Sequence, residues 1–370
     1  MTFPTKKLGE IITLEYGKPL HASKRSTEGE YPVFGANGIK TYADTFYFDK
    51  PSIIIGRKGS AGELALVEVP FWPLDVTYFL MFDDKVIDLK YLYNFFKTLE
   101  LPKLARGVKP GINRNDVYNI SIPLPPLPEQ KRIVKILDEV FENIEKAKEN
   151  TEKNLENAKE LFEAELSLFL RKSDFPIKNL GDVCERMEYG SSKKSSKAGD
   201  VPVLGMGNIQ DGRFIWDKFG FTSDKEEIRK LMLHRDDVLF NRTNSPELVG
   251  KSAIFKEDRP AIFAGYLIRV HPRVDILNPD FLNYFLNSRM AKDQGRKVMS
   301  SSVHQANISA TKLKGYQIPL PPLNQQKVFV VKLGALAVEV KKMNTIYQKK
   351  LSDLEELKKS VLKKAFAGEL

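Results

Sequence analysis

The chain carries the same punctuation twice. Ile122-Pro-Leu-Pro-Pro-Leu127 returns as Ile318-Pro-Leu-Pro-Pro-Leu323, each copy followed by a Gln-Lys pair (Gln130-Lys131, Gln326-Lys327) and then by a long helical pattern. Upstream, Leu8-Gly9-Glu10 matches Leu180-Gly181-Asp182, Tyr16-Gly17 matches Tyr189-Gly190, Pro32-Val33 matches Pro202-Val203, and Tyr91-Leu92…Phe95 matches Phe281-Leu282…Phe285. The offset between copies drifts from about 170 to 196, so the second copy holds insertions. An internal repeat decides the architecture before any single element does. Here it divides the 370 residues into a first module (1–127), a long helix (128–172), a second module (173–323) and a second long helix (324–370).

The modules mix short β-type runs, such as Ser52-Ile-Ile-Ile55 and Asp237-Val-Leu-Phe240, with glycine punctuation and short helical patterns (Asp88–Leu99, Pro279–Asn287). That mixture predicts α+β modules. The helices differ in kind. From Pro128 to Lys172 there is no glycine, and the next proline is Pro176. Apolar residues recur in steps of three and four: Ile133, Leu137, Val140, Ile144, Ala147, Thr151, Leu155, Ala158, Phe162, Leu166 and Phe169. The second copy continues the pattern through Val340, Met343, Tyr347, Leu351, Leu354, Leu357 and Val361. A step averaging about 3.5 with charged flanks is a coiled-coil seam, and about 45 residues make a rod of roughly 65 Å. One rod alone leaves its seam in water. The expected fold is therefore two globular domains in pseudo-two-fold tandem repeat, separated by two long helices that form an intramolecular antiparallel coiled coil.

The net charge is +10, distributed as +2, −2, +5 and +5 over the four segments. A polyanion fits this balance, but no segment is a basic tail, so any nucleic-acid surface must be built by folding. Cys184 is the only cysteine, which suits a reducing, cytoplasmic setting. No apolar run approaches the roughly 20 residues of a membrane span, and none near the start has signal-peptide character.

Catalytic constellations are not found in the sequence. Gly250-Lys251-Ser252 resembles the end of a phosphate loop, but Ser245 stands where its first glycine belongs. The histidines (His21, His234, His271, His304) are not paired at metal-ligand spacing. The Asn-Pro-Pro-aromatic signature of amino-methyltransferases is absent. Pro279-Asp280 with Glu356-Leu357-Lys358 could be read as a nuclease pair, but the second element lies on a rod, where Glu-x-Lys is usually a solvated face.

Loops that can meet DNA are easier to name. Ile55-Gly56-Arg57-Lys58-Gly59-Ser60-Ala61-Gly62 follows a β-run, and its glycines allow close backbone approach. At the equivalent place the second module has Phe240-Asn241-Arg242-Thr243-Asn244-Ser245, where arginine and asparagine suit guanine and adenine edges. A second pair of loops precedes the proline segments: Arg106, Lys109 and Asn113 in one module, Arg296, Lys297, Ser301, His304 and Gln305 in the other. Lys193, Lys194 and Lys197 stand among serines and could meet phosphates. The alternative for each is a tight hairpin or surface loop with exposed basic residues. The proline segments read as rigid hinges, or else as polyproline ligands for another domain.

These residues resemble the specificity subunits of type I restriction-modification systems. In the first module the resemblance lies in Tyr31-Pro-Val-Phe-Gly-Ala-Asn-Gly-Ile39, Pro51–Ser60 and Phe71-Trp-Pro-Leu-Asp75. In the second it lies in Leu239–Ser245, Leu248–Ser252, Gln305-Ala-Asn-Ile-Ser309 and Ile318–Leu323, and at the end in Lys364-Ala-Phe-Ala-Gly-Glu-Leu370. Asn324-Gln325 departs from the Glu-Gln pair common in the family, which Glu129-Gln130 matches. The resemblance implies a non-catalytic chain whose two target-recognition domains each read half of a split target in double-stranded DNA. It also implies docking of two methyltransferase subunits and, through them, restriction subunits, with AdoMet, ATP and Mg²⁺ belonging to those partners and no cofactor here. Two other readings remain: a catalytic methyltransferase or nuclease, and a coiled-coil scaffold for proteins.

Overall fold

The computed structural model describes residues 3–108, 110–172, 174–301 and 305–370. The chain forms two compact units, Met1–Glu152 with Gln348–Leu370, and Lys153–Tyr347.

The first module runs β1 (Thr5–Lys7), β2 (Ile12–Tyr16), β3 (Tyr31–Gly35), β4 (Gly38–Ala43), β5 (Ser52–Gly56), β6 (Leu64–Val67), β7 (Trp72–Pro73), β8 (Thr77–Phe82), α1 (Leu89–Thr98), α2 (Arg114–Tyr118) and β9 (Ser121–Pro123). Its main sheet has the order β2-β8-β5-β6, antiparallel throughout. A smaller sheet, β4-β3-β7, includes the parallel pair β3–β7. Every residue of β5 is buried, as expected of a short apolar run covered on both faces. Its one polar side chain, Ser52, is satisfied by donating to the Leu80 carbonyl (2.7 Å) and accepting from the Leu80 N–H (2.9 Å). Asp88 caps α1 through the Tyr91 N–H (2.9 Å), and the helix buries Tyr91, Leu92, Phe95 and Phe96 against the sheet.

From Leu127 to Leu170 the chain is one helix, α3. The second module follows: β10 (Ile177–Asn179), α4 (Leu180–Val183), β11 (Cys184–Tyr189), β12 (Val201–Leu204), β13 (Ile209–Gln210), β14 (Arg213–Phe214), β15 (Gly220–Thr222), α5 (Lys225–Leu231), β16 (Val238–Asn241), β17 (Thr243–Asn244), β18 (Ser252–Ile254), β19 (Ile262–Phe263), β20 (Leu267–Pro272), α6 (Pro279–Asn287), α7 (Arg289–Val298), β21 (Ser300–Ser301), β22 (Ala306–Asn307), α8 (Ala310–Lys314) and β23 (Gln317–Pro319). Its sheets repeat those of the first: β11-β20-β16-β18, antiparallel, and β15-β12-β19 with a parallel β12–β19 pair. The hairpin β13–β14, which turns at Asp211 (φ 48°) and Gly212 (φ 74°), and helix α5 lie between β12 and β16. With α7, they supply the insertions that widen the offset. The chain ends in α9, Leu323–Ala367.

Each module is tied to its helix by the glutamine that follows the proline segment. Gln130 is fully buried. Its Oε1 accepts from the Asp88 N–H (2.8 Å), and its Nε2 donates to the carbonyls of Val86 (3.1 Å) and Pro125 (2.9 Å). Gln326 repeats this with Asn278, Ile276 and Pro321, each at 2.8 Å. In both places one amide satisfies three main-chain groups that burial would otherwise strand.

Within each unit the two long helices run antiparallel. In the first, Lys358 reaches Glu145 (2.9 Å) and Lys148 reaches Glu355 (3.0 Å). In the second, Lys332 reaches Glu165 (2.7 Å), and Phe169 stacks on Phe329 with centroids 3.6 Å apart and planes 9° apart. The α3 seam faces inward at Ile133, Leu137, Ile144, Thr151, Ala158 and Leu166. Leu357 departs from the expected seam: it is 46% exposed, while Leu362 and Ala365 are buried in the first module's core.

Candidate nucleic-acid interface

The two central strands, β5 and β16, end in arginines that are held alike. The Arg57 N–H donates to the Val76 carbonyl (2.8 Å), and the Arg57 carbonyl accepts from Ile112 (3.0 Å). The Arg242 N–H donates to Tyr266 (3.0 Å), and its carbonyl accepts from Ile308 (2.9 Å). Each guanidinium lies over the ring of the tyrosine that ends the edge strand, Arg57 over Tyr16 (5.2 Å) and Arg242 over Tyr189 (4.7 Å). Each tyrosine is followed by a glycine at a crossing with no room for a side chain. A Cβ at Gly17 would lie 2.1 Å from the Leu74 carbonyl oxygen, and one at Gly190 2.4 Å from that of Ala264. Each arginine also returns to its own module's main chain. Arg57 Nη2 donates to the Asp75 carbonyl (2.6 Å). Arg242 Nη1 donates to Gly265 (3.4 Å) and its Nη2 to Asn307 Oδ1 (3.2 Å). Among the described residues the Nε of both is buried without a partner.

Of the loops named from sequence, those at 58–60 and 106–113 in the first module and 243–245 and 305–308 in the second adjoin these arginines, whereas Lys193, Lys194, Arg296 and Lys297 lie on other segments. In the first module, Lys58 and Arg106 both bridge to Gly111, and Gly59 donates to Pro110 (3.3 Å). Lys58 and Arg106 are exposed, Ser60 is half-buried, and Asn113 is occupied as the cap of α2, accepting from Asn115 (2.9 Å). Lys109 lies outside the described residues. In the second module, β17, β22 and β21 form a small ribbon that places Asn244 opposite Ala306 and Ser301 opposite Ala306, with Gln305 exposed beside it. Asn244 Oδ1 accepts from the Ser245 N–H (2.9 Å). His304 lies outside the described residues. Arg296 and Lys297 sit exposed on α7, Arg296 paired with Asp293 (3.0 Å). Lys193 is held by Asp224 (2.5 Å), and Lys194 beside it is exposed.

Sequence reasoning missed Tyr16, Tyr189 and Arg114, whose guanidinium meets the same Tyr16 ring (5.4 Å). The recurrence of Tyr-Gly in both copies was the available signal. Asn241, part of the loop named from sequence, is fully buried with neither side-chain polar atom partnered among the described residues, at the position where the first module has Gly56. A Cβ at Gly56 would meet the Ser60 carbonyl oxygen at 2.2 Å. Burial and contact with Tyr16 push the Tyr78 hydroxyl up to about 12, so it stays a neutral donor to the Ile112 carbonyl (3.1 Å). Burial pushes the Cys184 thiol up to about 12 as well, which keeps it out of nucleophilic chemistry at neutral pH. Among the described residues no group of three or more histidine, cysteine or acidic side chains could hold a metal ion, and no helix is long and apolar enough to cross a membrane.

Two modules of one topology, each followed by a long helix of its own, define a tandem-repeat architecture of paired α+β domains and helices. The profile of the type I restriction modification DNA specificity domain matches residues 2–156 and 172–357, and the chain belongs to that family. It is 27% identical over 403 residues to the type I restriction enzyme MjaVIII specificity subunit of Methanocaldococcus jannaschii, covering 98% of the chain and 92% of the relative. It is 27% identical over 308 residues to the StySPI specificity subunit of Salmonella potsdam, covering 78% of the chain and 66% of the relative, slightly under two thirds of that protein's length. A chain solved in work on complex assembly and conformational transition of the type I R-M system superposes with a TM-score of 0.78 at 19% identity, covering 100% of this chain and 98% of the other.

Proposed function

We propose that the chain is the non-catalytic specificity subunit of a type I restriction-modification enzyme, acting in the cytoplasm, and that each module reads one half of a bipartite DNA target. The observation that carries the reading is the duplicated basic ledge. The same strand ends and the same tyrosine platform, with loops of differing sequence at the same places beside them, are built once in each module, as two half-sites would require. The long helices set the interval between the half-sites. They also take up two methyltransferase subunits, through which restriction subunits join. Support for docking is an apolar stripe on the outer side of α9, Val328 (73% exposed), Val331, Val338 and Ile346, with Leu161 and Leu168 of α3. A groove of about 440 Å³ between Leu168, Phe169, Val328 and Phe329 adjoins it. Apolar residues this exposed on charged helices mark a partner surface. AdoMet, ATP and Mg²⁺ belong to those partners.

Mapping methylated adenines in cells that carry this chain with its methyltransferase partner tests the reading. A two-part motif with a fixed gap is expected. Continuous sites, or a pattern indifferent to removal of this chain, would overturn it.

A further inference from the structure

We propose that the Tyr16–Arg57 and Tyr189–Arg242 pairs are phosphate anchors: each holds a backbone phosphate of the duplex and contributes no base discrimination. The inference rests on the DNA-reading function above and assigns the chemistry of one part of that face. It departs from the base-reading role that the residue types alone suggest for Arg242.

Modules that read different half-sites must differ where they read. Around the two arginines they do differ: Gly56 faces Asn241 in the comparison, Lys58 faces Thr243, Tyr78 faces Ile268 and Arg114 faces Ala310. The arginine, its tyrosine and the main-chain bonds that hold them stay the same. A feature common to both readers carries no information about how their targets differ, and a contact to phosphate is common to all DNA.

The geometry agrees. An arginine that reads guanine extends a free fork into the groove. These two are drawn back onto carbonyls in the turns that precede β8 and β20, Asp75 at 2.6 Å and Gly265 at 3.4 Å, and lie over a tyrosine ring. Tyr16 and Tyr189 remain 41% and 45% exposed, so the cation–ring pair sits at the surface. A planar fork fixed in this way suits the oxygens of a phosphate, which it can meet with two parallel hydrogen bonds. Among the described residues the Nε–H is left without an acceptor in both modules. A phosphate oxygen reached by a small rotation of the guanidinium supplies one.

The test is selection from a random-sequence duplex DNA library by the full chain, followed by salt titration on the best-bound duplex. For Arg57→Ala the recovered motif should equal that of the unsubstituted chain, affinity should fall about ten-fold or more, and the slope of log affinity against log salt should shrink by about one. Arg242→Ala should do the same. Arg57→Lys should keep the salt slope while losing part of the affinity, because the charge remains and the fork does not. Thermal unfolding of each variant separates loss of fold from loss of contact, and the lysine variant keeps the slope readable if the alanine variant unfolds. A changed preference at any base pair overturns the anchor role and leaves the DNA-reading function standing, as does a folded Arg57→Ala chain with unchanged affinity and slope. Salt-independent or absent DNA binding by the unsubstituted chain overturns both.

Discussion

Arg269 shows how far one position can diverge inside a shared sheet. It pairs with Leu239 and Glu188 in the register where Phe79 of the first module pairs with Ile54 and Glu15. Its side chain is almost wholly buried, held by Glu188 (2.8 Å) and Asp237 (2.9 Å), and His271 reaches the same Glu188 oxygen (2.8 Å). Removing one member of such a network strands the others without a counter-charge. Arg269→Ala should therefore destabilise the second unit by about 3–5 kcal/mol, read by chemical unfolding. Burial alone would raise the Glu188 carboxyl, but hydrogen bonds from His271 and Arg269, with their charges, outweigh it and hold the group below its ordinary value of 4.5. A depressed folded value stabilises the protein above the unfolded value, and that contribution disappears as pH falls through the folded one. Melting temperature should consequently drop on acidification below about pH 4.5 more steeply in the native chain than in Glu188→Gln; equal slopes would show that this carboxylate is not the group responsible. None of this network was legible in the sequence, nor were Tyr16 and Tyr189 as partners of Arg57 and Arg242. Each pairing joins residues on different strands, and local pattern carries no sign of it. The arginines themselves were singled out from sequence because each stands one residue beyond an apolar β-run, after Ile55 and after Phe240.

At the scale of elements, the long helices were the most legible part of the chain, since α3 and α9 span Leu127–Leu170 and Leu323–Ala367. The seam was read correctly along α3 and slipped at the end of α9. From Leu354, a step of three leads to Leu357 and a step of four to Lys358. The helix takes the second, burying Leu362 and Ala365 and packing Phe366 on Tyr91 and Phe95. The core of a module, and not the partner helix, sets the face there. Gln130 and Gln326 were visible only as markers of the repeat, yet they fix each helix to its module. Gln130→Ala leaves the Asp88 N–H and two carbonyls without a partner in a buried place, and should cost about 1–3 kcal/mol in urea unfolding. Gln326→Ala should match it, because the three bonds are the same. If either variant melts like the native chain, water has replaced the amide and the tie is not structural. The stacked pair Phe169–Phe329 of the second unit is a second check. Phe329→Ala removes the partner of Phe169 from a buried site and should cost about 3–5 kcal/mol.

For the whole molecule, the repeat was legible from end to end, but the strand orders were not. Pairing β2 with β8, and β5 with β8, joins segments far apart in the chain, only β5 and β6 being neighbours, and nothing in the alternation of residues selects that order. Duplication compensates, because whatever order one module adopts the other repeats. The helices then bear the consequence that matters most for the proposed function. If they set the interval between two half-sites, their length is the variable that DNA reports. Inserting seven residues in the middle of α3 and seven more at the facing point of α9 keeps the apolar seam in register, since seven is two turns of a coiled coil. Each helix lengthens by about 10 Å, equivalent to about three base pairs of duplex at 3.4 Å per step. The half-site sequences recovered by methylation mapping should stay as they were, because neither module is altered, while the gap between them grows by about that amount. An insertion in α3 alone throws the seam out of register and should lower stability instead. A gap that stays fixed when both helices are lengthened, with methylation intact, would mean that some other part of the assembly measures the distance.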